Sequence, residues 1–217
     1  MKKNRLSILL PFFLIIFSSC IGFSADIKMR KDGSGRLVLE YRYSRMAESI
    51  GKLDGNERWQ IIPAGRADME RTAARIDGMK LVSFTSKEDE KNIINKATLD
   101  FNSVQALVKF LDPSGRRANF SGEGGNNRLC IILNDSVNPQ TDPQLMELFR
   151  SVSEPYRCGI SFSAAAGSAL SITDGAGNKI STPAKANIVS QGKKVSVSLN
   201  TAELLENANG LGVLITW

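Results

Sequence analysis

Apolar and polar residues alternate over short stretches along most of this chain, and the alternation predicts strands before anything else. Over residues 27–43 Ile27 and Met29 alternate with charged residues, and Leu37, Leu39, Tyr41 and Tyr43 share a face opposite Arg36, Glu40 and Arg42. Between them "DGSG" (residues 32–35) supplies turn residues that tolerate positive φ, so the stretch predicts a β-hairpin. A second hairpin is expected where "MKLVSFT" and "NIINKATLDFN" flank the charged tip "SKEDEK", with Ile93, Ala97, Leu99 and Phe101 on one face.

Elsewhere the period lengthens to that of a helix. Residues 103–113, "SVQALVKFLDP", pair an N-capping Ser103 with the stripe Val104, Leu107, Val108 and Leu111, and end at Pro113. "TDPQLMELFRSV" begins with Asp142 and Pro143 and carries Leu145, Leu148, Phe149 and Val152. Shorter helices are predicted at residues 44–51, around Met69, Ala73 and Ile76, and in "TAELLENANG". "RLCIIL" (residues 128–133) is a continuous apolar run that suits a strand covered on both faces. Short strands follow at Ile160/Phe162, Leu170/Ile172 and Val195/Val197/Leu199, and "GVLITW" closes the chain. No linker divides the halves. The expected fold is one α+β domain over residues 27–217: a mainly antiparallel sheet built from hairpins, with several amphipathic helices packed on one face.

The first residues break this pattern. "MKKNR" is cationic, residues 6–17 form an apolar run of 12 residues, and "FSSC" follows. A signal peptide over residues 1–19 is predicted. "FSSC" resembles the lipobox of bacterial lipoproteins, with Phe17 where leucine is usual, and so marks Cys20 as the residue that receives lipid and becomes the new N-terminus. Residues 20–26 would then be a lipidated tether, held stably by two or three acyl chains where one alone is marginal. A secreted protein cut after Ser24 and an uncleaved membrane helix are the alternatives. The predicted location is the bacterial cell envelope, facing the periplasm or the exterior. The predicted partners are the membrane, through Cys20, and a lipid or envelope protein.

Charge and composition then narrow the chemistry. The formal charge is +6, but Lys2, Lys3 and Arg5 belong to the signal segment; without them 25 basic face 22 acidic residues, net +3. No block of like charge remains, and a nucleic-acid partner is not expected. There is no histidine, which removes Ser-His-Asp and Cys-His catalysis and histidine-ligated zinc. No phosphate loop or dinucleotide fingerprint is present, so neither nucleotide nor cofactor is expected, and "GEGGNN" (residues 122–127) reads as a plain loop.

A carboxylate-dependent hydrolase keeps candidates in Asp89, Glu90, Glu123 and Asp135, which read first as solvated turn residues. "DGSG" and "DGAG" read as tight turns in preference to calcium loops. Arg66, Arg71 and Arg75 could face acidic headgroups or form a salt-bridged surface with Asp68 and Glu70. Cys130 and Cys158 are a candidate disulfide in an exported protein, or two small buried residues; both readings stay open.

The order of "IKMRKDGSGRLVLEYRY", a helical segment and "MKLVSF…ATLDFNSVQALVKFL" resembles the LppM-type envelope lipoprotein domain. Asp32-Gly33-Ser34-Gly35 and residues 101–107 carry the likeness, over about residues 20–111. The resemblance implies an α+β envelope domain with lipid binding and supplies no catalytic residues. The function expected from the sequence is therefore a non-enzymatic, lipid-anchored envelope protein that binds an apolar or lipid-like ligand. The alternatives are a scaffolding module without a ligand and the carboxylate hydrolase.

Overall fold

The computed structural model describes residues 21–45, 65–123, 126–134, 147, 150–151, 153–181, 183, 186–207 and 209–217. The N-terminal hairpin forms as expected. β1 (Ile21–Met29) and β2 (Gly35–Ser44) pair antiparallel from Ile21↔Tyr43 to Met29↔Gly35. Asp32 shapes the turn by accepting hydrogen bonds from the Ser34 amide at 3.0 Å and the Ser34 hydroxyl at 2.7 Å. Residues 21–26, expected as a tether, are the first part of β1, because backbone pairing with β2 continues to Ile21.

The second hairpin also forms, from β3 (Met79–Glu88) and β4 (Asn92–Phe101), and β4 adds to β2 with Leu37 opposite Leu99. A bulge at Val82 puts two residues of β3 against one step of β4. Leu81 and Phe84 therefore both meet the core although they are three residues apart, and Val82 is left exposed.

Two helices stand near these strands: α1 (Arg66–Ala74) and α2 (Val104–Leu111). Ser103 caps α2, accepting from the Ala106 amide at 3.2 Å, and Val104, Ala106 and Leu107 are buried beneath it. After α2 the buried carboxylate of Asp112 organises the chain. It accepts from the Ser114 amide at 3.0 Å, the Ala118 amide at 2.9 Å, the Ser114 hydroxyl and the Arg117 amide. These donors, the Ser114 hydroxyl foremost, hold its pKa well below the usual carboxylate range. A depressed folded-state pKa stabilises the fold above the unfolded carboxylate value of about 3.9 and loses that contribution as pH falls through the folded value. Asp112→Asn, whose amide would oppose backbone N–H donors, should lower the urea midpoint at pH 7. It should also flatten the decline in stability below about pH 4; an unchanged acid limb would refute the assignment.

Seven further strands complete the molecule: β5 (Ala118–Glu123), β6 (Asn126–Asn134), β7 (Arg157–Ser163), β8 (Ala169–Thr173), β9 (Asn187–Gln191), β10 (Lys194–Asn200) and β11 (Leu211–Thr216), with the short α3 (Thr201–Glu206) before the last. They assemble into two sheets, of order β3-β4-β2-β1-β7-β10-β9 and β5-β6-β11-β8. All pairings are antiparallel except β1 with β7, which run parallel with Ile27 opposite Phe162. The inner faces of both sheets contribute to one core, in which Ile27, Leu37, Leu99, Phe162 and Val195 join Leu129, Val213 and Ile215. Trp217 joins the layers, its ring 4.7 Å from that of Phe162 and 5.8 Å from that of Phe120.

This corrects the expected fold class. The described residues are 54% strand and 17% helix, so the protein is mostly sheet and not a sheet covered by several amphipathic helices. The physical reason is that each sheet covers the apolar face of the other, which leaves the helices a minor share of the burial. α1 buries only Asp68, Met69 and Ala73, and α3 is six residues long. The helices expected over residues 44–51 and 141–152 lie largely outside the described residues. β5 and β9 are polar segments without a clean alternation, and their strand form follows from pairing with β6 and β10.

Candidate functional site

The strands of the larger sheet turn one set of side chains to the core and the other to solvent. The solvent set forms a broad polar face whose rows follow from the register. One row crosses all seven strands: Lys80, Asp100, Arg36, Lys28, Ser163, Lys194 and Gln191 stand side by side. Toward the end of the sheet where β1 begins, a second row holds Lys87, Ile94 and Arg42, with Arg157 one position before the Phe23–Cys158 pair. With Lys96, the face carries eight exposed cations against three carboxylates, Asp26, Glu40 and Asp100.

Each carboxylate has a cation beside it. Asp100 accepts two hydrogen bonds from Arg36, at 2.6 and 3.0 Å, which holds its pKa below the usual range. Asp26 lies 3.3 Å from the ammonium of Lys194, and Glu40 lies 3.9 Å from that of Lys96. The face as a whole keeps a surplus of five positive charges.

Between β1, β7, β10 and β9 this face sinks into a groove of about 310 Å³. Its floor is made of small residues, Ser24, Gly159, Ser161, Ser196 and Ser198; Asn187 and Val189 form one rim, and Asp26 with Lys194 the other. The alternation that places Ala25, Ile160 and Val197 in the core places these serines and the glycine outside. The lining offers hydroxyls, one carboxylate and one ammonium. Within the groove the Lys194 ammonium is already engaged, 3.3 Å from the Asp26 carboxylate.

The sequence candidates are dispersed. Asp89 closes the β3–β4 turn, accepting from the amides of Lys91 at 2.8 Å and Asn92 at 2.7 Å, and those bonds lower its pKa. A carboxyl held ionised in this way is a poor general acid. Glu90 is exposed in the same turn, while Asp135 and the side chain of Glu123 lie outside the described residues. Asp174 in "DGAG" accepts from Ala176 and Asn178 as Asp32 does from Ser34, so both motifs build turns. Among the described residues, no group of three or more His, Cys, Asp or Glu is placed to hold a metal ion. Four residues of "GEGGNN", expected as a plain loop, are paired strand: Gly122 and Glu123 end β5 opposite Asn127 and Asn126, which begin β6.

Arg66 pairs with Glu70 at 2.8 Å, and Arg71 pairs with Asp68, which matches the salt-bridged reading of that helix. Cys130 and Cys158, the candidate disulfide, are both free thiols. Cys158 points inward from β7 and meets the Thr201 hydroxyl at 3.5 Å; Cys130 is half-buried on the smaller sheet, level with Leu214 of β11. They belong to different sheets, and burial pushes both thiols up from their ordinary pKa. Cys20 precedes the described residues. Among those residues no helix is long and apolar enough to cross a membrane.

The basic face was missed in the sequence because its cations come from six strands and no two of them are adjacent in the chain. The available signal was the solvent half of each alternation, read together across strands. No family model matches this chain, and no curated protein matches it. The chain is similar to a solved structure from Parabacteroides distasonis described as a "putative protease", at 11% identity and a TM-score of 0.33; the likeness covers 91% of this chain and 40% of that one. The fold defines a β-rich protein of two packed sheets sharing one core.

Proposed function

We propose that this protein is a non-enzymatic, lipid-anchored module of the bacterial cell envelope, attached through Cys20 and working through the outer face of its larger sheet. The observation that carries the reading is the position of that face. It is polar, exposed and built around β1, the strand that begins at the residue after the lipobox cysteine. The groove's hydroxyl-rich lining favours polar contact over an apolar ligand, and the large apolar side chains named above are spent on the core between the sheets.

Labelling cells with radioactive or alkyne-bearing palmitate tests the anchor. Label is expected on the wild-type chain, with at least a tenfold loss in Cys20→Ala; equal labelling of both overturns it. Native mass spectrometry of the purified protein tests the second half of the reading. A co-purifying lipid held in stoichiometric amount would favour the apolar-ligand alternative.

A further inference from the structure

We propose that the outer face of the larger sheet lies flat on an anionic membrane surface, with the two rows of cations on acidic lipid headgroups. The proposal rests on the anchored reading above and adds an orientation and a lipid class to it. Two independent features point the same way.

The first is charge. The row Lys80–Arg36–Lys28–Lys194 includes a single carboxylate, Asp100, and the row of Lys87, Arg42 and Arg157 includes none. Lys28 and Lys194 flank Ser163 in the register, two strands apart, and Lys194 also pairs with Asp26 at 3.3 Å. The outer face of the smaller sheet differs: Asn119, Ser121, Cys130, Leu214 and Ser171 are uncharged, with Arg128 at one end. Basic residues held near a surface rich in acidic lipid are attracted to it over about a Debye length.

The second is attachment. β1 is the central strand of the seven, and it begins at Ile21. Acyl chains on Cys20 therefore enter the bilayer one residue, about 3.8 Å, from the rim of this sheet. No spacer lets the domain turn away. The near row is level with Gly22, two residues along β1 from the anchor. The far row lies about 20 Å beyond, six residues at about 3.3 Å each. A sheet standing upright would bring only the near row to the membrane, whereas a sheet lying on its outer face brings both.

Acetylation of lysines, read residue by residue by mass spectrometry, tests this on the protein purified from membranes with its own N-terminus. The protein is mixed with vesicles of phosphatidylcholine alone or with about a third phosphatidylglycerol. In the acidic vesicles Lys28, Lys80 and Lys194 should react about threefold more slowly or less, and about 0.5 M salt should restore their rates. Lys109 on α2 and Lys179 near the smaller sheet should not change. Slowing of Lys87 alone means an upright sheet and overturns the proposal, as does equal slowing of all lysines or slowing in neutral vesicles. Protection by a soluble acidic polysaccharide but not by acidic vesicles overturns it in favour of a polymer partner. The same spectra report the N-terminal residue. Protection without acyl chains on Cys20 supports the docking face and removes the anchor; acylated Cys20 without protection does the reverse.

Discussion

Phe162→Ala should cost the folded state about 3–5 kcal/mol, the usual range for removing a buried phenylalanine ring and leaving a cavity. Phe162 is fully buried on β7. It stands between Ile27 of β1 and Val195 of β10, and its ring meets Trp217 at the end of the chain. Removing it deprives both sheets of a shared neighbour, and the paired strands beside it cannot close the gap without losing register. Urea unfolding followed by Trp fluorescence measures the loss. Phe162→Leu, which keeps most of the volume, should recover more than half of it. A loss under about 1 kcal/mol would mean that the two layers do not share this core, since even partial cavities in a packed interior cost more.

Gly35→Ala should be comparably severe, at about 3 kcal/mol or more, which is the upper end of overpacking costs. Gly35 opens β2 opposite Met29 and Phe101. A Cβ there would stand 2.2 Å from the Lys28 carbonyl oxygen and 2.4 Å from the Phe101 ring. The oxygen is backbone of the paired strand, and the ring is itself buried, so neither has room to retreat. Gly33, two residues earlier, is a built-in comparison. It has φ of +82°, where an alanine is strained, but its Cβ would have only the Val104 methyl within reach, at 3.8 Å. Gly33→Ala should therefore cost about 1–2 kcal/mol, the ordinary penalty of a left-handed alanine. Thermal or urea unfolding of the two variants separates lack of space from conformational strain. If Gly33→Ala proves the more damaging, the close packing at Gly35 is wrong.

These two sites also show how far the residues can be read in order. The first hairpin was legible because its alternation has a period of two over two full strands and its turn is spelled "DGSG". That Gly35 must be glycine was not legible, because one obstacle, the Phe101 ring, lies 66 positions away and the other, the Lys28 carbonyl, is brought close only by the pairing of the strands. Ser103 announced α2 correctly, since a cap is a local bond between a side chain and an amide three residues on. The helices were overestimated for a related reason. Apolar stripes reveal amphipathic segments, but they do not say whether a helix or a second sheet will cover the large apolar face. Asp89, a candidate acid, and Asp174 of "DGAG" were both legible as turn residues, because Asp with Asn a few residues on is again a local arrangement.

By itself, then, the sequence determined the local elements: two hairpins, the capped helix α2, the turn-building aspartates, and which side of each strand would seek the core. Tertiary structure alone decided how those sides were combined. It paired β1 with β7 in parallel across more than a hundred intervening residues, folded two sheets over one core, and kept Cys130 and Cys158 apart in different sheets. It also brought cations from six strands onto one face, around the strand that begins beside Cys20. The physical reason is the range of the forces concerned. Caps, turns and alternation act over two to four residues and are written in neighbouring positions. Strand order and sheet stacking are chosen by burial of surfaces from distant segments, and one-dimensional spacing does not encode them.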